Sequence, residues 1–213
     1  MQSDPMETDW AAEHLQTIRT LMERSAVYRR ALAPIMVWNG LVGIIGGLIG
    51  WKLDIRVSRS FVEFWSAAAV LAIIGSFLLV RRQALKDSEP FWSPPTRRIA
   101  QALMPPLFVG AVVNVVAACQ APGETILGGE ILILGWLWLY GCAAHAAGFF
   151  MTRGMKLFGW IFILLGCALF FSLLAPAWKP YIPVSLLMGA TFGGPHLAYG
   201  IYLYLTEKGK NAA

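Results

Sequence analysis

Leu32-Ala-Pro-Ile-Met-Val-Trp-Asn-Gly-Leu-Val-Gly-Ile-Ile-Gly-Gly-Leu-Ile-Gly-Trp51 is a run of twenty residues without a charge, with Arg29-Arg30 before it and Lys52 after it. At about 1.5 Å per residue a helix of this length covers roughly 30 Å, the thickness of a bilayer's hydrocarbon core. A strand is excluded by the length and by the lack of alternation. In lipid the backbone must satisfy its own hydrogen bonds within the segment, so the run is expected to be helical.

Five further runs of similar length follow, at about 61–80, 99–119, 130–150, 157–175 and 181–205. The expected fold is therefore all-α: a polytopic membrane protein of six transmembrane helices. The domain organisation has three parts. Residues 1–31 form an N-terminal amphipathic helix, cytoplasmic or interfacial; residues 32–205 form the membrane domain; residues 206–213 form a cytoplasmic tail. In the first part Leu15, Ile18, Met22 and Ala26 recur at helical spacing, Asp4-Pro5 suits a helix start, and acids precede bases along the segment. No early apolar core follows the N-terminus, so a cleaved secretory leader is not expected.

Composition agrees with a bilayer as solvent. Of the 213 residues 57% are hydrophobic and 14% charged, against roughly 25% charged in soluble domains, and the mean hydropathy is +0.60. The net charge of +5 reads as basic loops meeting anionic lipid, not as a nucleic-acid surface. With the N-terminus inside, thirteen Lys and Arg fall on the inner side and only Lys52, Arg56, Arg59 and Lys179 on the outer. The positive-inside rule then sets both termini in the cytoplasm, and the expected location is the plasma (inner) membrane. The inner connection from Arg81 to Arg98 is basic and rich in Pro, Phe and Trp, suited to the inner leaflet.

Gly43/Gly47 and Gly46/Gly50 are small-xxx-small pairs. Lacking Cβ atoms, they let two helix backbones approach closely. Packing inside the bundle is the preferred reading and a dimer interface the sharper one. Glu63 and Glu130 fall at helix ends, where water reaches them. The deeper polar residues are Asn39, Asn114, His145 and His196. Counting residues from the helix ends puts His145 and His196 about 22 Å from the outer boundary and brings Asn39 into the same layer of the cytoplasmic half. Pro195 lacks an N–H and should kink the sixth helix beside His196. His145, His196 and Asn39 are the candidate intramembrane site. Interhelical hydrogen bonding is its plainest role; a proton- or ligand-responsive site comes next, and bis-histidine ligation of haem b last.

Other chemistry finds no support. Cys119, Cys142 and Cys167 are too scattered for a disulfide or zinc framework. No P-loop, zincin or nucleophile-elbow pattern is present. No catalytic residue, metal or cofactor is expected. Tyr28-Arg-Arg30 ahead of the Gly-rich span and the tail from Pro195-His to Tyr204 resemble small multipass proteins of bacterial inner membranes, a likeness that carries no activity with it. A sensor or interaction subunit is expected, meeting a protein partner or a second copy through residues 1–30. A small transporter or permease subunit with the His/Asn layer near its path is the alternative.

Overall fold

A computed structural model describes residues 31–55, 58–86, 92–119, 128–151, 153–175 and 182–210. Among them every regular element is a helix. α1 is Ala31–Lys52, α2 Ser58–Lys86, α3 Pro94–Ala118, α4 Gly129–Ala147 and α5 Arg153–Leu174. The last segment is α6 Val184–Met188, a π-helical turn Gly189–Gly193, and α7 Gly194–Lys210. The amphipathic helix expected in the N-terminal segment lies outside the described residues.

Five helices, α1 to α5, are long and apolar enough to cross a bilayer. The expected sixth run does not form one uninterrupted α-helix, because the π turn divides it. Its residues nevertheless keep helical dihedrals through both junctions, at Gly189 (φ −60, ψ −43) and Gly194 (φ −58, ψ −58). α2 and α5 extend beyond their apolar runs into charged residues, since the hydrogen-bond ladder does not stop where the hydrocarbon does. α4 ends three residues before Phe150, capped at Gly148. Pro105 and Pro106, which suggest a broken helix in sequence, lie inside a continuous α3.

The core centres on α4 and α5. Ile133 and Leu137 of α4 meet Phe158 and Phe162 of α5, all fully buried. The two helices touch at backbone level: a Cβ on Gly159 would lie 2.5 Å from the His145 amide nitrogen, and one on Gly141 would lie 2.9 Å from the Gly159 carbonyl oxygen. α2 and α3 are peripheral, with 11% of their spans buried against 44% for α4. Between their charged ends they expose large apolar residues, including Ile73, Phe77, Phe108 and Val115.

α1 closes the bundle against the last segment. A Cβ on Gly50 would fall 2.8 Å from Ser185 Oγ, on Gly47 2.9 Å from Gly189 Cα, and on Gly43 2.7 Å from Gly193 Cα. A Cβ on Gly40 would fall 2.6 Å from the Leu197 amide nitrogen, and one on Gly200 2.8 Å from that of Val37. Numbers descend on α1 as they rise on its partner, so the two run antiparallel. At Gly40, Gly43, Gly47 and Gly200 the close neighbour is backbone, where real Cβ atoms essentially never sit, so glycine is required there; at Gly50 the neighbour is the Ser185 side chain. Gly46 faces elsewhere and receives the Trp65 ring of α2.

Candidate functional site

The last segment is shaped by Pro195. Its ring would crowd the Thr191 carbonyl of a regular helix, and it has no N–H to donate there. The chain widens into the π turn directly upstream, and Thr191 Oγ1 donates to the Leu187 carbonyl at 2.8 Å. One residue beyond Pro195 the His196 ring folds back onto its own helix. Nδ1 lies 2.7 Å from the Phe192 carbonyl oxygen, and Nε2 lies 2.6 Å from the Tyr140 hydroxyl of α4. A carbonyl only accepts, so Nδ1 carries the proton; in the neutral ring Nε2 then accepts from Tyr140 O–H.

His196 is 4% exposed. Tyr140, Phe158 and Phe162 surround its ring at centroid distances of 5.3, 5.0 and 5.4 Å. Phe192 covers Tyr140 at 5.7 Å and Phe162 at 5.2 Å. The cage thus draws on α4, α5 and the last segment together. Phe158 and Phe162 reach it because they stand four residues apart, on one face of α5.

His145 does not join this cage. It stands five residues from Tyr140, about 140° around α4, and so turns to the other side of the α4–α5 contact. There Nδ1 makes a long contact, 3.4 Å, with the Lys156 carbonyl oxygen. The ring packs edge-on against Phe149 and Trp160 at 5.5 and 5.8 Å. The Lys156 ammonium lies 3.6 Å above the Phe149 ring, a cation–π pair beside it. Asn39 joins a third contact: its Oδ1 accepts from Ser76 Oγ of α2 at 3.1 Å. Trp38 next to it lies on Gly75, where any Cβ would overlap the indole.

The three residues expected to share one layer therefore serve three separate helix contacts. They do not fit a bis-histidine haem. Both ring nitrogens of His196 are engaged, and His145 turns its ring toward a different set of neighbours. Among the described residues no three His, Cys, Asp or Glu side chains gather as metal ligands would.

Two residues outside the expected site matter as much as those in it. Among the described residues Tyr140 supplies the one side-chain hydrogen bond to His196; a hydroxyl in mid-helix, five residues from a histidine, was its sequence signal. Asn114 links three helices, accepting from Trp136 Nε1 of α4 at 2.9 Å and donating to Ser66 Oγ of α2 at 3.2 Å. Its signal was an amide in a run otherwise apolar for several turns. The cysteines are free thiols; Cys119 and Cys142 are exposed and Cys167 half-buried. Comparison with protein-family models, curated proteins and solved structures finds no match to this chain.

Proposed function

We propose that the chain is a six-span membrane protein with both termini in the cytoplasm, acting as a non-enzymatic sensor or interaction subunit. The observation that carries this is how its deep polar groups are used. His196, Asn39 and Asn114 are each committed to bonds between neighbouring helices, which favours a rigid anchor over a path for solute. The sixth span is supported by the seam with α1. A helix that lies antiparallel to a spanning helix from Gly50 down to Val37 shares its depth in the bilayer.

On this reading residues 1–30, together with the basic inner connection, meet the partner. A photo-reactive amino acid at Ile18 of the full-length protein in native membranes should give one discrete protein adduct, lost in the Leu15→Glu variant. No adduct at Ile18 and none at Leu15 would sink the interaction reading. Reporter fusions in the loop at Glu124 and at the C-terminus test the orientation, which requires the first outside and the second inside. The alternative is a small permease, favoured by the interruption at Gly189–Gly193, since transporters use broken helices at their sites. Solute flux in proteoliposomes that His196→Ala abolishes, with the fold retained, would select it.

A further inference from the structure

α2 and α3 carry matched boundaries. The apolar run of α2 covers 61–80 apart from Glu63 near its start, and ends on Arg81-Arg82; that of α3 begins at Ile99, directly after Arg97-Arg98. Each run covers about 30 Å of helix, so each arginine pair stands where hydrocarbon gives way to headgroups. The helices are neighbours joined by a short connection, so both pairs lie at one end of one hairpin.

All four arginines are exposed, and none has its guanidinium paired with another described residue. Lys86 adds a fifth exposed cation, while Asp87 and Glu89 are the acids of the connection. On the hydrocarbon side the surface is apolar, with Ile74 51%, Leu78 53% and Met104 67% exposed. Trp92, 62% exposed, stands at the start of α3 as interfacial anchors do.

We infer that the Arg81-Arg82 and Arg97-Arg98 pairs at the connected end of the α2–α3 hairpin form a binding surface for anionic phospholipid headgroups. A phosphate at that depth meets planar guanidinium forks, which take two of its oxygens at once, as a lysine cannot. The acyl chains lie along the exposed apolar faces of α2 and α3. Cations with no partner among the described residues, at the depth of the phosphate plane and beside exposed apolar surface, match a lipid better than a soluble anion. The surface rests on the membrane reading and not on which way round the protein inserts.

The test places full-length protein in nanodiscs of equal neutral phosphatidylcholine and anionic phosphatidylglycerol. Native mass spectrometry then counts the lipids retained on release. Wild type should keep phosphatidylglycerol in preference, with retention falling on the order of fivefold per arginine in R81Q/R82Q and in R97Q/R98Q. Lysine at the same positions should restore part of the preference, K52Q at the opposite end should leave it unchanged, and inorganic phosphate should not displace the lipid. Equal retention of the two lipids by wild type overturns the inference, as does wild-type preference in both double variants with intact helix content. Displacement by phosphate overturns it in favour of a free-anion site. If one double variant misfolds, the other still decides. Failure of wild type to enter nanodiscs counts instead against the membrane reading.

Discussion

Replacing Gly193 by alanine tests the seam that closes the bundle. The new methyl group would sit 2.6 Å from the Ile44 amide nitrogen, 2.8 Å from Ile44 Cγ1 and 2.9 Å from the Gly40 carbonyl oxygen. Two of these neighbours are backbone and cannot rotate away. Ordinary contact needs roughly 3.5 Å or more, so α1 and the last segment must part by somewhat under 1 Å. A gap of that size forfeits about a quarter to a half of each dispersion contact along the seam. Overpacking of this kind costs about 1–3 kcal/mol, and the rigid neighbours place Gly193→Ala toward the upper end. The internal control is Gly135→Ala on α4, where an added Cβ meets nothing within 4 Å. There alanine should be neutral or stabilising by up to ~1 kcal/mol, from helix propensity. Reversible unfolding of the purified protein in mixed detergent–SDS micelles, followed by circular dichroism, measures both. Equal stability of the two variants would refute the claim that the seam is held at backbone distance.

Other expectations use the same unfolding assay. Tyr140→Phe keeps the rings of the cage but strands His196 Nε2, and should cost about 1–2 kcal/mol; nitrogen NMR of the wild type should find His196 protonated at Nδ1. Asn114→Leu breaks contacts to both Ser66 and Trp136, so it should cost more than Asn39→Leu, which breaks the one to Ser76, by about 0.6–2 kcal/mol. Asp54 has a left-handed backbone, φ 52, in the turn after α1; Asp54→Val should be less stable than Asp54→Gly by about 1 kcal/mol or more.

Some of this was legible in the chain and some was not, for physical reasons. Gly40, Gly43, Gly47 and Gly50 of α1 are readable because their spacing marks one helical face, although the Gly46 among them turns to α2. Their partners Gly189, Gly193 and Gly200 are not, since spacing on one helix does not say which other helix arrives. The positions of His145 and His196 along their helices follow from a constant rise per residue. Their azimuth matters more, and it depends on which side of α4 meets α5, a tertiary choice. Pro195 announces a disturbance, but its form is decided by the Thr191 carbonyl it crowds. The strain is therefore relieved upstream, as a π turn, and not as a simple bend. Pro105 and Pro106 give the same warning in sequence, and α3 continues through them.

The seam between α1 and the last segment has a consequence for biosynthesis. Its two halves lie roughly 150 residues apart in the chain, so at about 5–20 residues per second α1 waits about 8 to 30 s for its mate. Through that interval a grooved, glycine-lined surface stands open in the membrane beside the ribosome. A nascent chain truncated before Ser185 would keep that surface open for good. The seam thereby marks completeness: a membrane chaperone or protease able to sense an unfilled glycine groove would distinguish finished molecules from broken ones before either left the site of insertion.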